Sequence, residues 1–353
     1  MSNPLEPPVD AQQAADRSSP AGERESPASR TGSAPVVSVI VPVHNAGVLL
    51  NDALNSIFAQ RDAPAFEVIV VDDRSDDPAT LGVLSDLADA RVRVIQSDQR
   101  PGPAGARNAG IAQARGEWLA FLDADDRWPQ ASLAQRFQVA QGFDGVRWIA
   151  GRHADWDALN DTLTEPENPL RNRIGSRRNS ATGTRIQDPE LELGGPPFLR
   201  LGAMLIHRDA LAKAGGFDTR FRYGEDWLLW LKLALGEKLV YQDAISLHLR
   251  RHAGSMTAGL RGLDQGWRVT LHALAQPGFR MIRPRLRWTL ARQFANAANG
   301  FRDHGHWFRA LGYAIRAVLV VPNSREHWRR IGAMFLPRRG RQKGRTEPTV
   351  RRH

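Results

Sequence analysis

At three points in the chain acids stand at one end of an apolar run. In Trp118-Leu-Ala-Phe-Leu-Asp123-Ala-Asp125-Asp126 the run stops abruptly at three carboxylates. A run bounded so sharply reads as a buried strand. Its far end then presents Asp123, Asp125 and Asp126 in one small volume. In open α/β sheets, ligands bind beyond the carboxyl ends of the strands. Carboxylates this crowded repel one another unless a cation lies between them. A hard divalent ion, Mg²⁺ or Mn²⁺, prefers such oxygens and usually brings substrate phosphates with it. The plainer alternative is a solvated turn capping a helix that starts near Trp128-Pro129. Asp72-Asp73 ends a second apolar run. An acid after the second strand of a nucleotide-binding unit commonly hydrogen-bonds the ribose; a helix N-cap is the alternative. Glu225-Asp226 opens an apolar helix, where the helix dipole favours acids. A carboxylate there, facing a metal–nucleotide site, also suits a general base.

These acids need elements to position them. Val36-Val-Ser-Val-Ile-Val-Pro42 is a β-branched run and reads as a buried strand. His44-Asn45-Ala46-Gly47 follows as a loop, then a helix carrying Leu49, Leu50, Leu54, Ile57 and Phe58. Phe66–Val71 is the second strand, a helix follows Pro78, and Val92–Ile95 is the third strand. Gly102–Gly110 leads into a short helix, and the run ending at Asp123 closes this half. Alternating strands and helices predict a mostly parallel, doubly wound α/β sheet with helices on both faces. No Gly-x-Gly-x-x-Gly follows the first strand and no P-loop signature occurs, so dinucleotide dehydrogenases and P-loop nucleotidases lose support. A further strand is expected at Gly145–Ile149. From about residue 152 to 195 the pattern turns polar and reads as an insertion over the acceptor side. Later come Phe198–His207, a helix from Arg208 to Gly215-Gly216, an apolar helix to Leu235, and two strands near Lys238–Tyr241 and Ile245–Leu249. A helical region rich in Arg, Trp and Ala spans about 256–337. Within it, Arg309–Leu319 is amphipathic and stops near Pro322.

Composition narrows the partners. The 353 residues include no cysteine, which excludes disulfides and thiolate chemistry. The net charge is +10 and favours anionic partners. Residues 1–34 are rich in Pro, Ser, Ala and charge, and are expected to be disordered. No apolar stretch has signal-peptide or membrane-span length. The expected setting is therefore cytoplasmic, possible contact being at the inner face of the membrane. The basic tail, 338–353, reads as a solvated segment or as an attraction to anionic lipid. It lacks aromatic residues for stacking on single strands, and no nucleic-acid partner is expected.

Five motifs stand in a familiar order: Val39-Ile-Val-Pro42-Val-His44-Asn45, Val70-Val71-Asp72-Asp73-Arg74-Ser75-Asp76, Ala106-Arg107-Asn108-Ala-Gly110, Gly116–Asp126, and Gly215-Gly216-Phe217-Asp218 with Gly224-Glu225-Asp226. Together they resemble the family 2 glycosyltransferases of GT-A fold, over roughly residues 36–255. The resemblance implies inverting sugar transfer from a nucleotide-diphosphate sugar, UDP-linked by expectation, with Mg²⁺ or Mn²⁺. The acceptor would be a glycan or lipid-linked glycan in cell-surface polysaccharide synthesis. By the same resemblance Pro42, His44 and Asn45 contact the nucleoside, and Asp72 and Asp73 bind base and ribose. Arg107 is a basic residue on the nucleotide side. Asp123 and Asp125 form the Asp-x-Asp motif, with Asp125 foremost as metal ligand and Asp123 also facing substrate. Asp226 is the catalytic base beside Glu225, and His252 lies near the diphosphate. Arg74 stands where a small Gly is usual, and His44 where Tyr is commoner. The rival readings are a nucleotidyltransferase, which needs a Gly- and Arg-rich loop after the first strand, and a non-catalytic sugar-nucleotide-binding or scaffold protein.

Overall fold

The computed structural model describes residues 34–166, 183–195, 198–251 and 260–334. The N-terminal segment expected to be disordered, the basic tail, His252 and much of the polar stretch after residue 166 lie outside the described residues.

The strands are β1 (Val37–Val43), β2 (Phe66–Asp72), β3 (Val92–Gln96), β4 (Trp118–Phe121), β5 (Trp148–Asp157), β6 (Thr162–Thr164), β7 (Thr184–Arg185), β8 (Met204–His207) and β9 (Leu239–Arg250). The helices are α1 (Leu49–Phe58), α2 (Pro78–Ser85), α3 (Pro103–Gln113), α4 (Ser132–Gly142), α5 (Pro189–Leu193), α6 (Arg208–Lys213), α7 (Glu225–Ala234), α8 (Leu260–Ala275), α9 (Arg283–Asp303), α10 (Trp307–Val320) and α11 (Arg325–Met334). One sheet runs in the order β3-β2-β1-β4-β8-β5-β9-β7, with β6 paired to β5.

Alternation along the strands explains the layers. Val37, Val39, Val41 and Val43 of β1, with Val68 and Val70 of β2, pack with Leu50, Leu54 and Ile57 of α1 and Leu133 of α4. Ile40, Ile69, Val71, Leu119 and Phe121 face the other way, into a core with Ala104 and Ala109 of α3, Leu211 of α6 and Trp227, Leu228 and Trp230 of α7. Both faces are covered, so the strands are apolar throughout rather than alternating with polar residues.

The parallel expectation describes the half from β3 to β4. The other half is mixed, because β8 is antiparallel to both β4 and β5 while β5 and β9 are parallel. Two expectations are corrected here. The polar stretch from Arg152 opens as strand: β5 runs on to Asp157, with Ala154 and Trp156 buried between less buried polar residues. The two strands expected between Lys238 and Leu249 are one, β9, whose register against β5 shifts after the Ala150–Tyr241 pair. A bulge carries the intervening polar residues without ending the strand.

The helical region does not stand apart from the sheet. Val269 and Ala273 of α8, with Phe279, Ile282 and Leu286, share the core of α7. Beyond them α9 and α10, joined by three residues, form a smaller core in which Phe301 and Tyr313 stack at 5.5 Å. Among the described residues no helix is long and apolar enough to cross a membrane.

Candidate active site

The carboxyl ends of β1, β2 and β4 lie along one edge of the sheet, and α7 begins beside them. Arg107, on α3, joins these elements. Its guanidinium is buried and bonds Asp123 at 2.7 Å and Glu225 at 2.9 Å. Burial opposes its charge, yet Asp123, Glu225 and Asp226 together outweigh that and hold it firmly protonated. Phe217 lies beneath the guanidinium, 5.4 Å from ring centre to Cζ.

The glycine-rich stretch before Arg107 serves packing. A Cβ at Gly105 would stand 1.9 Å from the carbonyl oxygen of Arg100, so the helix can approach the preceding loop only through a glycine. Pro103 stands in the first turn of α3, where its missing N–H costs nothing.

The three acids after β4 separate. Asp123 keeps its side chain 44% exposed. Asp125 is half-buried, and its carbonyl oxygen accepts from Arg250 Nε at 2.8 Å. Asp126 turns inward and accepts from the Arg250 backbone N–H at 2.9 Å. Burial, then Asp123 and Asp125, push its pKa well up. Asp126 is thus a tether between the β4 loop and β9, and the expected trio is a pair. Arg250 completes the tether with an ion pair to Asp52 of α1 and lies 4.0 Å from the Trp156 ring centre.

Asp72 and Asp73 are also buried, and both spend their carboxylates on neighbouring protein groups. Asp72 accepts from Ser75 N–H at 2.9 Å and from Gln96 Nε2 at 2.7 Å. Asp73 accepts from Gly102 N–H and from Arg74 Nη1, each at 2.6 Å. Arg74 sits at φ 64°, the left-handed region a glycine would occupy without strain. Its bonds to Asp73 and to the Gln99 carbonyl offset that strain. His44 is exposed and donates Nδ1–H to the Asp73 carbonyl at 2.9 Å. Asn45 accepts from the Asp76 and Asp77 backbones and donates to Asp76, which ties the β1 loop to the β2 loop. Pro42 is half-buried near the end of β1 and pairs with Val71.

Glu225 and Asp226 begin α7, behind Gly224 at φ 78°. Burial, then the neighbouring Asp226, push Glu225 up to about 7. Burial also raises Asp226, opposed by Arg107, the Trp227 N–H and Arg200. His252 lies outside the described residues. The chemistry of Asp123 and Asp125 suits Mg²⁺ or Mn²⁺, which take one or two protein carboxylates and complete their shell with phosphate and water. Among the described residues no group of three or more His, Asp or Glu is placed to hold an ion by itself. Arg250 and Arg200 were not legible as site residues; the only signal for Arg250 was its place in Arg-Arg-His.

The mixed sheet, with helices on both faces and acids at one edge, is a GT-A-type α/β fold. The glycosyl transferase family 2 model matches residues 38–187. A Campylobacter jejuni GalNAc(5)-diNAcBac-PP-undecaprenol beta-1,3-glucosyltransferase is 30% identical over 64% of this chain and 68% of its own length. The chain belongs to glycosyl transferase family 2. It is also 25% identical to the Escherichia coli UDP-Glc:alpha-D-GlcNAc-diphosphoundecaprenol beta-1,3-glucosyltransferase WfaP, over 63% of this chain and 80% of that one. The succinoglycan biosynthesis protein ExoO of Rhizobium meliloti is 46% identical, but over only 26% of either chain. In fold, S. aureus TarS 1-349 in complex with UDP-GlcNAc superposes with a TM-score of 0.57 at 18% identity, over 84% of this chain and 83% of that one.

Proposed function

We propose that the chain moves a sugar from a nucleoside-diphosphate sugar, UDP-linked, to an acceptor hydroxyl with inversion at the anomeric carbon. The observation that carries this reading is the chain Asp123–Arg107–Glu225, with Asp226 beside it. It couples the acids after β4 to those opening α7. The relatives' names support the substrates: one uses UDP-Glc, and two act on sugars carried on diphosphoundecaprenol or PP-undecaprenol. A glycan or lipid-linked acceptor in bacterial surface-polysaccharide synthesis follows, with work in the cytoplasm at the inner face of the membrane. The segment 35–255 would carry the transferase site and 256–337 would support it. The tail would meet anionic lipid.

In this reading Pro42, His44, Asn45, Asp72 and Asp73 shape the nucleoside site. Asp72 and Asp73 do so chiefly by holding the loops that line it. A divalent ion on Asp125 and Asp123, when bound, would neutralise charge on the departing diphosphate. Asp226 accepts the proton of the acceptor hydroxyl as its oxygen bonds the anomeric carbon and the bond to the diphosphate breaks. Arg107 keeps Asp123 and Glu225 in place, and Glu225 faces the donor sugar. His252 would contact the diphosphate.

The test offers purified protein, with Mn²⁺ or Mg²⁺, a panel of nucleotide sugars and follows released nucleoside diphosphate. Metal-dependent release from one donor is expected, reduced about 10²-fold or more in Asp226→Asn with donor affinity nearly unchanged. Asp125→Ala should instead weaken metal-dependent donor binding. No binding to any donor would leave the scaffold reading standing.

A further inference from the structure

The edge that carries Asp226 extends past the nucleotide half. β8 runs antiparallel to β4, so its start lies level with the end of β4. β5 and β9 run opposite to β8, so their ends reach the same edge. Arg200 stands just before β8, Asp155 near the end of β5, and Arg251 just past β9. Asp226 interacts electrostatically with both Arg107 and Arg200, and so sits between the two halves.

The basic side chains there are not equally satisfied. Arg152 holds Glu165 at 2.8 Å and Asp243 at 3.4 Å, and is neutralised. Arg251, its side chain 51% exposed, pairs with Asp155 at 2.7 Å. His153 faces the same carboxylate at 3.8 Å. Among the described residues Arg200 has no carboxylate within ion-pair distance. Its hydrogen bond there is a long one, 3.3 Å from Nη1 to the Leu199 carbonyl, and its Nε is buried without a partner. Asp226, Asp155 and Asp126 act on Arg200 only through space. Asp126 is spent on the Arg250 backbone. Of these two guanidiniums only Arg251 has a carboxylate in ion-pair contact among the described residues, which leaves room for one more anion. The planar fork of a guanidinium matches a phosphate with two parallel bonds.

We propose that Arg200 and Arg251 form a binding site for the diphosphate of a lipid-linked acceptor, across Asp226 from the nucleotide. This rests on the transferase reading above and names the acceptor chemistry it would take. The nucleotide side is built on β1, β2 and β4. A second diphosphate has its counter-charges just before β8 and just past β9, with His252 left to the donor diphosphate, so donor and acceptor phosphates need not share one site.

The test titrates decyl diphosphate into the full chain saturated with UDP and Mn²⁺, read by calorimetry. Binding is expected in the wild type and at least tenfold weaker in Arg200→Gln and in Arg251→Gln. Arg200→Lys should recover part of it. UDP affinity should move less than twofold in every variant. Equal decyl diphosphate affinity in wild type and both variants would overturn the assignment. So would decyl diphosphate that merely displaces UDP, or UDP affinity that falls in step, since the arginines would then serve the donor. Should Arg200→Gln fail to fold, the half-exposed Arg251 carries the test. The binding measurement needs no turnover, so failure of the transferase reading shows separately, as no release from any nucleotide sugar.

Discussion

One residue, Arg107, joins the two acidic ends that define the site. It lies among three carboxylates and is the buried cation that makes their proximity tolerable. Breaking a buried pair by removing one partner leaves an uncompensated charge and typically costs about 3–5 kcal/mol. Arg107→Met should therefore destabilise the fold by about that amount, seen as a lower midpoint in urea unfolding. Arg107→Lys should recover only part, because an ammonium keeps the charge but cannot span Asp123 and Glu225 as a fork does. A loss below about 1 kcal/mol in Arg107→Met would mean that water reaches the site and screens it. Individual residues were the level at which the sequence said least. The runs ending in Asp72 and Asp123 and the one opened by Glu225 were visible as carboxylates at element ends. That Asp126 faces inward, that Asp72 bonds Gln96, and that Arg250 reaches Asp52 across 198 positions are products of folding. Such partners leave no local pattern.

At the scale of the element, helix α7 presents Glu225 and Asp226 as a titrating unit. Glu225 is raised from 4.5 to about 7, so the fold favours its protonated form. The stability this provides is fully present below pH 4.5 and is lost as pH rises through about 7. Unfolding free energy should fall across that window and level off above it. Transfer should behave oppositely, because a general base must be ionised: burial raises Asp226, so the acid limb of kcat/KM is expected above the usual carboxylate range, belonging to the pair rather than to either residue. Glu225→Gln removes the neighbouring charge and should move that limb to lower pH. An unmoved limb would assign the titration elsewhere. Helix α3 gives a second expectation. Gly105→Ala places a methyl against the Arg100 carbonyl, which forces the helix off its seat and displaces Arg107 with it. A loss of about 1–3 kcal/mol is expected in thermal unfolding. Elements were the level most legible beforehand. The runs of β1, β2 and β4 are apolar because both faces are buried, and such runs announce themselves. β5 was hidden past Ile149, because Arg152 takes its opposite charges from Glu165 and Asp243 and Asp155 takes its own from Arg251, all outside the strand.

At the scale of the whole molecule, the sheet and the helical region share a core. Val269, Ala273, Phe279, Ile282 and Leu286 pack with the apolar side chains of α7. Removing everything after residue 255 would uncover that face directly behind Glu225 and Asp226. The shortened chain should bind a hydrophobic dye and aggregate. A soluble chain with the native circular dichroism would instead show the transferase segment to be self-sufficient. Motif order pointed to the half from β3 to β4 because its strands follow one another in sequence. The half from β8 onward was harder to read, because its strands interleave.

That interleaving has a temporal side. β4 and β5 are successive strands, yet neither pairs with the other; β8, made some fifty residues after β5 begins, slides between them. Until Met204–His207 leaves the ribosome, the nascent sheet ends at β4 with a bare, apolar edge. Such edges recruit other strands, and multi-element chains are most prone to misassembly while they remain open. The buried Arg136, which donates to the carbonyls of Gly202 and Met204, is already synthesised and waiting in α4 when β8 appears. It acts as a latch for the strand that must slip between two earlier ones, so that Arg200 is already held at the sheet edge when α7 brings Asp226 to it.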